Sequence, residues 1–200
     1  MARVKVKSGD IYQIVLPNDL GFAYAKCINL LEINPDARYP ILIRVYNYRS
    51  ALPQPLKKFI AKELILCPLL IAGILPSINS GTWKLVGNTP LQEEDIVIPH
   101  YKRGEPDEDP IEWFCVFNAD ISKKIKSEFE NVKHLETIGA TGSALVGTKI
   151  AMALLLDEGK RVEDYFKLDE YFEKEYYKQV TTIPAYYKQP EIMRGKAIES

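Results

Sequence analysis

Histidine, cysteine and surplus basic charge are what this 200-residue chain has little of. Its two histidines, His100 and His134, show no His-x-x-x-His spacing and no paired His-carboxylate spacing, which excludes a histidine-built metal centre. Its three cysteines, Cys27, Cys67 and Cys115, are odd in number and far apart, with no Cys-x-x-Cys pair. That pattern excludes a disulfide framework and a structural zinc site. It reads as three buried small hydrophobes in a reducing cytoplasm. No Gly-x-Ser-x-Gly elbow is present for serine-hydrolase chemistry. Twenty-six Lys and Arg face 27 Asp and Glu, a net charge of −1. A protein that coats nucleic acid needs a basic surplus to displace phosphate counterions. The longest apolar run, residues 64–75, contains Pro68 and Gly73 and is too short to span a bilayer. The opening residues lack the apolar stretch of a secretory signal. No heptad run or true internal repeat appears, although Tyr-Tyr-Lys occurs at 176–178 and 186–188. These absences point to a cytoplasmic globule without a membrane segment, metal or cofactor.

What is present is a core-forming chain, 46% apolar, which argues against disorder. Residues 11–16 and 22–31, separated by the turn cluster Pro17-Asn18-Asp19-Leu20-Gly21, read as a β-hairpin. The second strand puts Phe22, Tyr24, Ile28 and Leu30 on one face and the small residues Ala23, Ala25 and Cys27 on the other, which suits a tightly curved sheet. A third strand is predicted over 40–48, with Ile41, Ile43 and Val45 opposite Leu42, Arg44, Tyr46 and Tyr48. The spacing predicts a helix over 56–64, then strands over 65–75, 82–86, 96–101 and 113–117. From about residue 119 the pattern turns helical. A polar helix is predicted over 120–134, an almost wholly apolar one over 144–158 capped by Ser143 and ended by Gly159, and an amphipathic one over 161–179. The division is thus a β-rich part, residues 1–118, and a helical extension, residues 119–200, packed with it as one globule.

Two glycine-rich stretches invite a phosphate-binding reading and fail it. Gly139-Ala140-Thr141-Gly142-Ser143 is followed by Gly147-Thr148-Lys149. A P-loop needs the lysine before the hydroxyl residue, and here Thr148 comes first. A dinucleotide fingerprint needs a glycine where Leu145 stands. The stretch reads instead as the glycine-rich start of the 144–158 helix. Charge is unevenly spread. Residues 1–62 hold ten Lys and Arg against four Asp and Glu, net +6, and residues 89–120 hold two against nine, net −7. The acidic stretch culminates in Glu105-Pro106-Asp107-Glu108-Asp109-Pro110, which lacks the glycine and distal glutamate of an EF-hand. It reads as a solvated loop, or as an anionic surface suited to a basic cleft on another protein. Six of the twelve tyrosines follow residue 160, so the last helix offers either packing or interface area.

Two segments carry a family resemblance. One is Val6-Lys7-Ser8-Gly9-Asp10-Ile11-Tyr12-Gln13-Ile14-Val15-Leu16 with Gly21-Phe22-Ala23-Tyr24-Ala25-Lys26. The other is Ser80-Gly81-Thr82-Trp83-Lys84-Leu85-Val86-Gly87-Asn88-Thr89-Pro90-Leu91, followed by Ile98-Pro99 and Tyr101. Together they resemble the immunity protein 26 family of bacterial polymorphic-toxin systems, over roughly residues 4–118. The resemblance implies a mostly β fold and a protein that neutralises a cognate toxin domain by binding it. It brings no catalytic or interface residues, only fold-makers: Gly9, Gly21 and Gly87 for turns and Trp83 for the core. The expected fold is α+β: a mostly β, SH3-like curved sheet or partly open barrel with C-terminal helices packed on it. The expected function is non-enzymatic toxin inhibition. Were the toxin a nuclease with a basic cleft, its contact would be Glu105, Asp107, Glu108 and Asp109 with Trp113. The alternative is an SH3-like nucleic-acid-binding module that uses Lys5, Lys7, Lys26, Arg44 and Arg49 with Tyr24, Tyr46 and Tyr48 for stacking. The PemK-type ribonuclease toxins also open with a Gly-Asp strand.

Overall fold

Alternation of large and small side chains in the first strands determines what can lie on each face of the main sheet. The computed structural model describes residues 6–105 and 108–198. Strands β1 (Asp10–Val15) and β2 (Phe22–Asn29) form the expected hairpin, with Asn18 and Asp19 at φ 56° and 55° and Gly21 at φ 83°. Asn and Asp tolerate the left-handed region better than other side chains. At Gly21 a Cβ would stand 2.2 Å from the Ser50 carbonyl oxygen. After a single helical turn, α1 (Leu30–Ile33), strand β3 (Ile41–Ser50) pairs with β2. Strand β4 (Leu69–Ile71), the short helix α2 (Leu75–Asn79) and strand β5 (Trp83–Asn88) follow. The antiparallel order is β4-β3-β2-β1-β5. A smaller antiparallel sheet holds β6 (Tyr101–Glu105), β7 (Glu112–Val116) and β8 (Lys124–Ser127). Three helices follow: α3 (Phe129–Val132), α4 (Ser143–Asp157) and α5 (Tyr171–Thr182). The fold is α+β, and both sheets are open.

Ala23, Ala25, Cys27, Ile41, Ile43 and Val45 share the large core with Val146, Ile150 and Leu154 of α4. The small residues of β2 therefore let the helix lie close over the sheet. Ten of the fifteen α4 residues are buried, as the nearly all-round apolar sequence requires. Its second side is covered by Val162, Phe166 and Tyr176. The opposite face of the sheet is covered in two pieces. Ile11, Tyr24 and Tyr46 pack with Phe59, whose ring stacks on Tyr24 at 4.0 Å. Ile28, Leu42 and Leu70 pack with Tyr101 of the smaller sheet, and its hydroxyl donates to the Pro68 carbonyl at 3.0 Å. Trp83 is a core aromatic, 6.0 Å from Tyr12.

Several elements differ from the sequence expectation. Residues 56–64 form only a 3-10 turn, Leu56–Lys58, because the backbone beyond it pairs with β3: Asn47 N–H donates to Glu63, and Ile65 N–H to Val45. Residues 120–134 contain β8 and the single turn α3 rather than one helix, since Lys124–Ser127 completes a ladder with β7. The strand expected over 96–101 begins only at Tyr101, after the 3-10 turn Glu93–Ile96. The third helix starts at Tyr171, ten residues later than expected, because the chain first turns at Val162–Asp164 to bury Phe166. Gly142, not Ser143, is the N-cap of α4, and the Ser143 hydroxyl accepts from Ser77 at 2.6 Å. Gly87 lies inside β5 beside a register shift rather than in a turn, where a Cβ would meet Leu56 at 2.6 Å.

Two buried ionic clusters join the layers. Lys26 and Arg44, from the basic first third, both converge on Asp95 of the acidic segment, at 2.5 and 3.3 Å. The Asp95 carboxylate also accepts from Gln92 N–H, and Lys26 donates to the Pro90 carbonyl. In the second cluster Lys149 of α4 donates to Glu136 at 2.6 Å and to Gln179 of α5 at 2.8 Å. Lys102 of β6 lies beside them, donating to the Lys133 carbonyl. Burial pushes the Lys102 pKa down to about 8, Lys149 reinforces the shift, and Glu136 and Cys67 oppose it.

Three outcomes follow from this packing. Ala25→Leu places three extra carbons between β2 and α4 and should cost about 1–3 kcal/mol in urea unfolding, whereas Ala144→Leu, on the exposed start of α4, should be near neutral. Asp95→Ala strands two buried cations and should cost about 3–5 kcal/mol, while Glu105→Ala, in an exposed pair, should move stability little. Lys102 loses its proton near pH 8 in the folded state but near 10.4 when unfolded. Between those values the unfolded state holds more protons, so the Lys102 contribution to stability rises with pH. The buried thiols Cys27 and Cys67 act oppositely, being held protonated by burial. The contribution of Lys102 is therefore read as a difference: the stability of the wild type relative to Lys102→Met should rise by about 1–2 kcal/mol from pH 7.5 to 9.5. Parallel pH curves would refute it.

Candidate protein-binding surface

The residues expected to bind a partner belong to the β6–β7 hairpin, and its register decides which of them meet. Gly104 pairs with Trp113, Glu105 with Glu112 and Arg103 with Phe114. One face of the smaller sheet therefore carries Arg103, Glu105, Glu112, Phe114, Lys124 and Lys126. Two glutamates directly opposite each other repel, and cations from the neighbouring strands relieve them. Glu105 lies 3.1 Å from Arg103 and 2.8 Å from Lys124, and Glu112 pairs with Lys126. The Lys124 hydrogen bond holds the Glu105 carboxyl below the usual carboxylate range. To reach Glu105, the Lys124 chain crosses β7 with its ammonium 4.1 Å above the Phe114 ring.

Glu108 and Asp109 lie in the connecting loop with exposed carboxylates, and Asp107 lies outside the described residues. Trp113 is half-buried on the opposite face, 4.8 Å from the Phe129 ring, in a cluster with Cys115, Val132 and Leu135. The hairpin thus brings Glu105, Glu108, Asp109 and Trp113 to one end of the small sheet. Of these, Glu105 is already neutralised and Trp113 is already packed. Three further acids of this region are also paired: Asp95 with Lys26 and Arg44, Glu112 with Lys126, Asp120 with Lys123.

The Trp113 face continues into a feature that sequence reasoning missed. A groove of about 1160 Å³ runs between the floor of β7 and β8 and the tail of the chain. Cys115, Phe117 and Ile125 form its floor, Glu128 and Asn131 one side, and Ile192, Met193 and Ile198 the other. Ile125 is 62% exposed and Ile192 79% exposed. His100 closes one end; its pKa is lowered by burial and by Lys196 nearby. The sequence signal was slight: an isolated isoleucine between two lysines, and two more in a tail without regular periodicity. A second hollow of about 410 Å³ lies between α1 and the β7–β8 connection.

Of the residues expected to bind nucleic acid, Lys7 is exposed and Tyr48 half-buried, and most of the others are engaged within the fold. Lys26 and Arg44 are turned inward onto Asp95, and Arg49 forms a double hydrogen bond with Glu158. Tyr24 and Tyr46 are buried beneath Phe59; Lys5 lies outside the described residues. The cysteines are buried free thiols whose pKa values burial raises, so they are poor nucleophiles. Among the described residues no helix is long and apolar enough to cross a membrane, and no group of three His, Cys, Asp or Glu side chains is placed to hold a metal. The 139–142 segment leads into α4 and pairs with β4 through Thr141, whose N–H donates to the Leu70 carbonyl.

Neither the curated proteins nor the solved structures contain a match to the chain. The model of the family described as Immunity protein 26 matches residues 7–119. That span covers the five-stranded sheet, the Asp95 cluster and the whole β6–β7 hairpin, more than half of the sequence, so the chain belongs to the Immunity protein 26 family.

Proposed function

We propose that this protein neutralises one cognate toxin domain in the cytoplasm by stoichiometric binding, covering the toxin's active site or substrate cleft without chemistry of its own. The family match over residues 7–119 carries the reading. It is supported by a surface that combines the anchoring apolar area and charged rim found in specific interfaces. The groove supplies the apolar part and the β6–β7 loop an exposed pair of acids, Glu108 and Asp109. With Glu105 and Trp113, these acids form the end of the surface that would meet a basic cleft, and Asp107 precedes them in sequence. Charge of this kind acts on the rate of encounter more than on the strength of the final complex.

The test is to take the candidate toxin domain from the neighbouring gene. Mixed with the purified chain, it should form a one-to-one complex and lose its activity at equimolar ratio. Changing Glu108→Gln and Asp109→Asn together should slow association severalfold at low salt and flatten its salt dependence. Unchanged association rates would remove the acidic loop from the interface. A toxin that stays active and unbound would refute neutralisation altogether. Labelled single-stranded RNA should be neither retarded nor cleaved at physiological salt.

A further inference from the structure

Strand β8 is the outer strand of the smaller sheet, and its far edge has no strand beside it among the described residues. Lys124, Ile125 and Lys126 are all exposed. Natural sheets commonly protect such an edge with lysines. Here the lysines do not do so. Lys124 is drawn back across β7 to Glu105, and Lys126 back to Glu112, so both lie over the sheet and away from its rim. Beside the same edge, on the other face, lies the groove into which the exposed Ile125 projects.

We propose that β8 accepts an extended segment of the toxin as a fourth strand, and that this segment alternates acidic and apolar residues. The proposal rests on the toxin-binding reading above and adds the place and chemistry of the contact. Residues of an added strand alternate between faces. Those opposite Lys124 and Lys126 would stand on the charged face, where acids would flank the two lysines on the side away from Glu105 and Glu112. Those opposite Ile125 would enter the groove between Ile125, Ile192 and Ile198. A second copy of this protein does not fit. Antiparallel pairing of β8 with itself about Ile125 sets Lys124 against Lys126 twice, and like charges directly opposite are unfavourable. The four residues of β8 span roughly 13 Å, enough for backbone bonds to supply affinity while the alternate side chains supply selectivity.

The experiment uses the full chain and three synthetic capped peptides of about eight residues, long enough to pass the ends of β8. The first alternates Glu with Ile and Val, the second has Lys for Glu, and the third is the first with its edge-facing amides N-methylated. The first should bind and slow amide exchange within Lys124–Ser127. The other two should bind at least about tenfold more weakly. Ile125→Asp should abolish binding without lowering the melting temperature, since Ile125 is exposed. Equal binding of the N-methylated peptide, or protection confined to another element, would overturn strand addition. In a second arm, the cognate toxin domain is titrated against Ile125→Asp and against Lys124→Glu with Lys126→Glu. Weakening by about tenfold or more in both supports the edge as the contact. Wild-type affinity in both overturns it while leaving neutralisation intact. Failure of the wild-type chain to bind the toxin overturns both.

Discussion

Helix α4 has almost no side it can leave in water, and the rest of the molecule is arranged around that requirement. Residues Val146 to Leu155 are apolar except for Gly147, Thr148 and Lys149, so the helix must be covered all round. The five-stranded sheet covers one side, and it can do so closely because β2 offers Ala23, Ala25 and Cys27 there. The segment from Val162 to Tyr176 covers the other. The single charged residue between Val146 and Leu155, Lys149, is tolerated because Glu136 and Gln179 both meet it. A buried charge persists only when paired and hydrogen-bonded. The same pair ties α4 and α5 to the strand-like segment beside β6, and so sets the position of the smaller sheet relative to the core.

Part of the opposed charge of the sequence is consumed in ion pairs. Lys26 and Arg44 on the main sheet find Asp95, and lysines following residue 122 find the glutamates of β6 and β7. Three further features lie on or beside the smaller sheet: an acidic loop tip, a bare strand edge and an apolar groove.

The two segments of family resemblance were legible because they consist of fold-makers. Gly9 and Gly21 adopt positive φ, and Trp83 is buried against Tyr12, so backbone geometry and core packing dictate their identity. The three first strands were legible because their faces differ in size and polarity at a period of two. Residues 56–64 and 120–134 differ from the expected helices because apolar spacing there is compatible with a helix, while each segment contains backbone that pairs with a strand outside it, β3 in one case and β7 in the other. Local propensity yields to such pairing. Of the expected binding residues, Glu105, Glu108, Asp109 and Trp113 lie on one hairpin, where Glu105 is paired and Trp113 is packed.

By itself the sequence determined the α+β character, the large and small faces of β2 and β3, the buried state of the cysteines and of α4, and the family, since each depends on residue type or short-range period. Only the tertiary structure decided which charges are consumed in pairs, that the Tyr24 and Tyr46 face is covered rather than open, and that Ile125, Ile192 and Ile198 line one groove. Those properties depend on which distant segments meet, and distance along the chain says nothing about them until the backbone hydrogen bonds of the two sheets have been drawn.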